Sequence, residues 1–241
     1  MDNSSGQTGS AQARTRSPAP IPDSVTGWIR AGTLDPELAA LTSILIEGGL
    51  PVVVAASNEA RADGWTGAQV RDALGRTLLA SGRTPLPTIR IAAPVTVDAA
   101  SLESVLARMP LLSFDAVDEA GARVAIVLIV DIDEAGGGWL VRATHFLRPP
   151  LRDGHGHLQR QGPAVLATWD PGLRRFEHFW WAVLPELAVL IERHSGDLES
   201  EIAGRTDLLA GLVAHRVDDQ GAVRLAIEAA RIAADTANHR H

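Results

Sequence analysis

The spacing of hydrophobic positions changes several times along the chain, and each change marks an element. Leu38, Leu41 and Leu45 recur at helical spacing. Asp35 can cap that helix, and Pro36 suits its first position. Gly48-Gly49 stops it, and residues 51–56 (PVVVAA) are then continuously apolar. Such a run predicts a strand buried on both faces, as in a parallel sheet. Residues 57–65 read as a polar loop. Thr66 and Gln69 stand at capping-box spacing, and Val70, Leu74 and Leu78 recur every fourth residue, which predicts a second helix ended by Gly82. Residues 83–95 are rich in proline and hold one short β-like piece at 88–92. Leu102, Val105, Leu106 and Met109 mark a third helix, closed by Pro110.

From Arg123 the pattern turns to strands. Residues 124–132 are strongly β-branched, 133–138 are turn-rich, and 139–147 form the returning arm of a hairpin. An irregular loop at 148–162 precedes a strand at 164–169, a turn at Asp170-Pro171-Gly172 and a short strand near Phe176. The rest is helical: one helix from Pro185 closed by Gly196, one capped by Asp197, and one carrying Val223, Ile227 and Ala230, with fraying from Asp235. The chain divides into a polar tail (1–22), an α/β domain (23–181) and a C-terminal helical segment (182–241). That last segment has ten acids against six arginines and reads as a solvated appendage.

Composition removes several chemistries. At 46% apolar residues the chain can build a core. It contains no Cys, so disulfides and thiolate metal sites are excluded. All 22 basic residues are Arg, which excludes a phosphate-loop lysine, a Schiff-base lysine and a Ser–Lys dyad. A net charge of −7 argues against broad nucleic-acid affinity. The apolar run that includes 125–130 is far short of the roughly 20 residues that cross a bilayer. A cytoplasmic protein is the expectation.

Candidate chemistry concentrates at 144–181, which holds four of the eight histidines and five arginines against three acids. His155 and His157, two apart in an extended strand, share a face. With Asp153 and His145 they are candidates for a zinc or manganese site, although the spacing is not a zinc signature and the simpler reading is a Gly-rich surface loop whose histidines face water or satisfy backbone carbonyls. Arg148, Arg152 and Arg160, with Arg174 and Arg175, suit a phosphate or an acidic partner, or are solvated arginines paired with neighbouring acids. Trp169, Phe176, Phe179, Trp180 and Trp181 read as core, or as a patch for a partner. Asp131 and Asp133 read as the soluble end of a hairpin. No residue is assigned as catalytic, and no cofactor or metal is expected; His155 and His157 are the weak metal candidates.

Four stretches carry a resemblance to a known family. Residues 27–56, with GTLDPELA before the apolar strand, resemble the approach to the nucleotide site in secretion ATPases of the type II/type IV, pilus-assembly class. Residues 96–109 (TVDAASLESVLARM) resemble the family's histidine box, 124–148 its late hairpin, and 205–231 its C-terminal helices. The resemblance implies a reduced P-loop (RecA-like) α/β core with a late β-hairpin and a helical C-terminus. The chain departs from the family where catalysis resides. The phosphate loop falls at 56–69, where Ser57, Gly64 and Gly67 stand without GK[ST]. Asp98 replaces the box histidine, and no acid lies between residues 81 and 97 for a Walker B role. The resemblance thus implies a catalytically deficient relative that serves as an interaction or scaffold protein, with an intact ATPase or itself as partner. The alternative is a ligand- or metal-binding enzyme or sensor using the loop 145–160.

Overall fold

The computed structural model describes residues 20–81, 94–109, 124–159 and 161–238. The β-like piece expected at 88–92 lies outside these residues, as do Arg160 and most of the N-terminal tail.

The chain begins with α1 (Val25–Arg30) and α2 (Pro36–Glu47), followed by β1 (Val52–Ala56). A small hairpin, β2 (Arg61–Ala62) and β3 (Trp65–Thr66), leads into α3 (Gly67–Ser81). Then come β4 (Val95–Asp98), α4 (Leu102–Arg108) and a long hairpin of β5 (Ala125–Ile132) and β6 (Trp139–Leu147). A second ribbon, β7 (Leu151–Arg152) and β8 (Leu158–Gln159), precedes β9 (Ala164–Asp170) and β10 (Arg175–His178). After a 3-10 turn at Trp180–Val183 the chain ends in α5 (Leu184–Leu190), α6 (Ser195–Ala214) and α7 (Gln220–Asn238).

The fold is α/β around a mixed six-stranded sheet, ordered β10-β9-β6-β5-β1-β4. The continuous apolar run does become a doubly covered strand. β1 pairs in parallel with β4 on one side and β5 on the other, and all five of its residues are buried. The other three pairings are antiparallel. Because side chains alternate across a strand, Val52, Val54 and Ala56 join the large core with α2 and α3, whereas Val53 and Ala55 pack with Val105 and Met109 of the α4 side. The path runs from β1 through α3 to β4, then back past β1 to β5. The carboxyl end of β1 is therefore a point where strand order reverses, the usual place for a crevice in open α/β sheets.

Local signals fix the first helices. Asp35 Oδ1 accepts from Leu38 N–H at 2.8 Å, and Pro36 follows at the first turn. Trp28 Nε1 donates to Thr77 Oγ1 at 3.2 Å, tying α1 to α3. Thr26 Oγ1 donates to the Val217 carbonyl at 2.7 Å, and Arg30 pairs with Asp218, so α1 is also held by the α6–α7 turn.

The C-terminal helices close the core. Leu198, Ile202, Leu209, Val223 and Ile227 belong to the same cluster as α2 and β1. The segment expected to be a solvated appendage thus seals one side of α2. α6 begins at Ser195 without a side-chain cap, which places Asp197 in its first turn and Gly196 inside it. α7 runs on through Asn238, past the fraying expected from Asp235. Among the described residues no helix is long and apolar enough to cross a membrane.

One charged pair lies inside this packing. The Arg205 and Glu47 side chains are only 5% and 4% exposed. Arg205 Nη2 donates to Glu47 Oε2 at 3.1 Å, Nη1 donates to the other carboxylate oxygen, and Ser43 Oγ stands 3.3 Å from Nη1. Glu201 flanks the pair, 3.5 Å from Arg205 Nη2, and also meets Arg193. Burial pushes the Glu201 carboxyl above its ordinary range, the charges of Arg193 and Arg205 oppose this, and Glu47 adds to it.

Removing one partner of a buried pair leaves an uncompensated charge. Arg205→Leu is therefore expected to lower unfolding free energy by roughly 3–5 kcal/mol in urea titrations. The double variant Arg205→Leu/Glu47→Leu should recover most of that loss; equal losses in both would show that packing, not the stranded charge, dominates.

Candidate functional site

The loop after β1 occupies the position where a phosphate cradle is expected. It folds back on itself. Asp63-Gly64, with φ of +53° and +81°, turns the chain between β2 and β3. Both angles lie in the left-handed region that a tight hairpin turn requires and that Asp and Gly tolerate. Gly64 is therefore a turn residue at the hairpin tip. At the start of α3 the capping box forms as its spacing predicts: Thr66 N–H donates to Gln69 Oε1 at 2.9 Å, and Gln69 N–H donates to Thr66 Oγ1 at 3.3 Å. Gly67 N–H donates to the Ala60 carbonyl at 3.0 Å. A Cβ on Gly67 would lie 2.0 Å from the Ser57 carbonyl oxygen, so only glycine permits this contact.

Anion binding at a helix N-terminus needs free amides aimed outward. Here the amides of residues 66, 67 and 69 already have acceptors. The carboxylate of Asp98 also belongs to this corner. Its Oδ1 accepts from Asn58 N–H at 2.8 Å, and Arg108 lies 3.9 Å from Oδ2. Arg71, on α3, donates to the Ala56 carbonyl at 3.0 Å and to Asn58 Oδ1 at 2.6 Å. Ser57, Gly67 and Asp98 are brought together, but as parts of a closed loop.

The histidine and arginine loop is dispersed in a different way. Asp153 is a turn former: its Oδ1 accepts from His155 N–H at 2.9 Å and His157 N–H at 2.8 Å. Its Oδ2 lies 3.1 Å from His157 Nδ1. These contacts hold the Asp153 carboxyl below its ordinary range, the His157 backbone N–H most of all. The rings of His155 and His157 stand 6.3 Å apart and tilted, and the His157 side chain is 80% exposed. His145 instead lies on β6, opposite Val127 and Val165, where burial lowers its pKa. Among the described residues no three or more His, Asp or Glu are placed to hold a metal ion. The ligand set suggested by spacing is not assembled, because the ribbon tip and the sheet carry its members separately.

The arginines mostly have carboxylate partners. Arg148 forms a two-pronged pair with Glu186 of α5, with Nε 2.8 Å from Oε2. Arg174 reaches Asp133 at 3.0 Å and lies 6.0 Å from the Trp169 ring centroid. Arg175 is 3.9 Å from Glu177. Asp131, the other hairpin acid, pairs with Arg142 at 2.9 Å. Arg152 lies on β7, opposite Leu158. Of the aromatic group, Trp180 is buried and Phe176 packs on the core, but Trp181 is 65% exposed and is not core.

A further cluster has no signal in the local sequence. His178 Nε2 lies 2.8 Å from Asp35 Oδ2, and its Nδ1 is 3.6 Å from Glu37 Oε1, within ion-pair but not hydrogen-bond range. Trp180 Nε1 donates to the same Glu37 oxygen at 2.8 Å. Burial alone would lower the His178 pKa; the hydrogen bond and charge of Asp35, with the charge of Glu37, outweigh it and raise the pKa. Asp35 thus caps α2 with one oxygen and pins β10 with the other.

No protein-family model matches the chain, and no curated protein matches it at a significant level.

Gly67→Ala is expected to destabilise the fold by about 1–3 kcal/mol through overpacking against the Ser57 carbonyl, measured by urea unfolding. For His178 the folded state holds the proton more tightly than the unfolded chain. Its stabilising contribution is complete below the ordinary pKa of 6.5 and is lost as pH rises through the raised folded-state value. Unfolding midpoints measured across that window should fall with rising pH in the wild type, and the fall should be smaller in His178→Gln.

Proposed function

We propose that this protein is a nucleotide-site-deficient relative of the secretion ATPases, built on a reduced RecA-like core and acting as an interaction or scaffold protein. One observation carries the reading. The loop between β1 and α3 stands at the strand-order reversal, yet the amides of residues 66, 67 and 69 already have acceptors and the Ser57 carbonyl rests on Gly67. Phosphoryl transfer depends on a cradle of donors, a lysine and a metal-holding carboxylate positioned around the phosphates. This chain has no lysine at all. The Asp98 carboxylate at that corner accepts from the Asn58 N–H of the loop.

Support for the relationship comes from the order of elements. A capped helix, a buried parallel strand, a loop and a second helix follow one another, then a strand continuing into a helix, a late antiparallel hairpin and terminal helices. A subunit that keeps the scaffold of a ring-forming ATPase without its chemistry would contribute surfaces. The partner is a protein, either an intact ATPase of that class or a second copy of this chain, in the cytoplasm.

Calorimetry with ATP and magnesium should give no heat beyond dilution, and steady-state assays no phosphate release. Micromolar binding or sustained turnover would overturn the proposal. Sedimentation of the protein alone and mixed with an intact secretion ATPase should show association in at least one case; a monomer in both would remove the scaffold role.

A further inference from the structure

A cavity of about 100 Å³ lies between α1, the β2–β3 hairpin and the start of β6. Three of the six tryptophans, Trp28, Trp65 and Trp139, line it, with Pro22, Gly138 and Asp63 beside them. The indole N–H of Trp28 is held by Thr77 Oγ1 at 3.2 Å, and that of Trp139 by the Ala62 carbonyl at 3.1 Å. These two rings are fixed, and what they offer the cavity is carbon. Asp63 is the one charged residue among the described residues lining it. An Asp63 carboxylate oxygen stands 3.6 Å from where a Cβ on Gly138 would sit, which places it at the rim of the same space. No ion pair or hydrogen bond to this carboxylate occurs among the described residues.

We propose that this cavity binds the head group of a quaternary or methylated ammonium. Indole faces carry negative π charge and are the strongest aromatic partners for a cation. Asp63 adds a full negative charge beside them, and among the described residues no arginine lines the space to oppose it. An anion is repelled by Asp63, and a neutral apolar ligand makes no use of it. A weakly hydrated cation with a methylated surface uses both the carbon walls and the carboxylate. The site is independent of the ATPase relationship, since none of its chemistry involves phosphate.

The test is titration of the full-length protein with choline, read by tryptophan fluorescence, with sodium chloride as the ionic-strength control. The neutral carbon isostere 3,3-dimethylbutan-1-ol is run in parallel. Saturable choline binding is expected, with the isostere at least about fivefold weaker, the change that corresponds to roughly 1 kcal/mol of cation attraction. Asp63→Asn should weaken choline by a similar factor and leave the isostere unchanged. Asn tolerates the left-handed backbone at this turn, and an unaltered circular dichroism spectrum confirms that the variant is folded. Equal binding of choline and isostere, an Asp63→Asn variant that binds choline as tightly as wild type, or no saturable choline response would each overturn the proposal.

Discussion

The structure turns on how α2 is covered. Every residue of this helix from Leu38 to Glu47 is buried, with the sheet on one side and α6 on the other. Such a helix leaves no polar face for solvent, so its last residue, Glu47, is an acid inside the protein. It also stands at the negative end of the helix macrodipole, where a carboxylate is disfavoured. Arg205 makes that arrangement tolerable by meeting both carboxylate oxygens from α6. The pair adds little net stability against an apolar alternative, and it joins α6 to α2 through both carboxylate oxygens. The placement of α6 in turn positions its C-terminal turn, which holds α1 through Val217 and Asp218.

Much of the first half was legible because its signals are local. The Asp35 cap, the Thr66–Gln69 capping box and the doubly buried strand are each written within a few residues. The Asp63-Gly64 turn was also present as a dipeptide signal, but the flanking strands are two residues each and gave no periodicity. What could not be read depends on distance in the chain. His178 meets Asp35 across 143 positions, and Arg205 meets Glu47 across 158. Counting charges on 182–241 suggested a solvated segment because a tally cannot distinguish a surface arginine from one buried against α2.

The candidate sites differ in the same respect. At the start of α3 the chain has no lysine to offer a phosphate, and the amides of residues 66, 67 and 69 are taken by the capping glutamine, the Ala60 carbonyl and the Thr66 hydroxyl. At 148–160 the types of residue suggested a ligand set, but three-dimensional placement assigns Asp153 to a turn, Arg148 to α5 and His145 to the sheet. Residue type indicates which chemistry is available; only placement decides whether the groups can act on one atom.

Among the described residues the two strands at the edges of the main sheet are four residues each, and β10 carries Arg175 and Glu177 along its length. Short, charged borders are poor templates for another chain's backbone. Such margins favour side-chain contacts over backbone pairing at the sheet edge. Continuing the sheet from one molecule into the next, the route by which many α/β proteins aggregate, is disfavoured by the length and charge of its own margins.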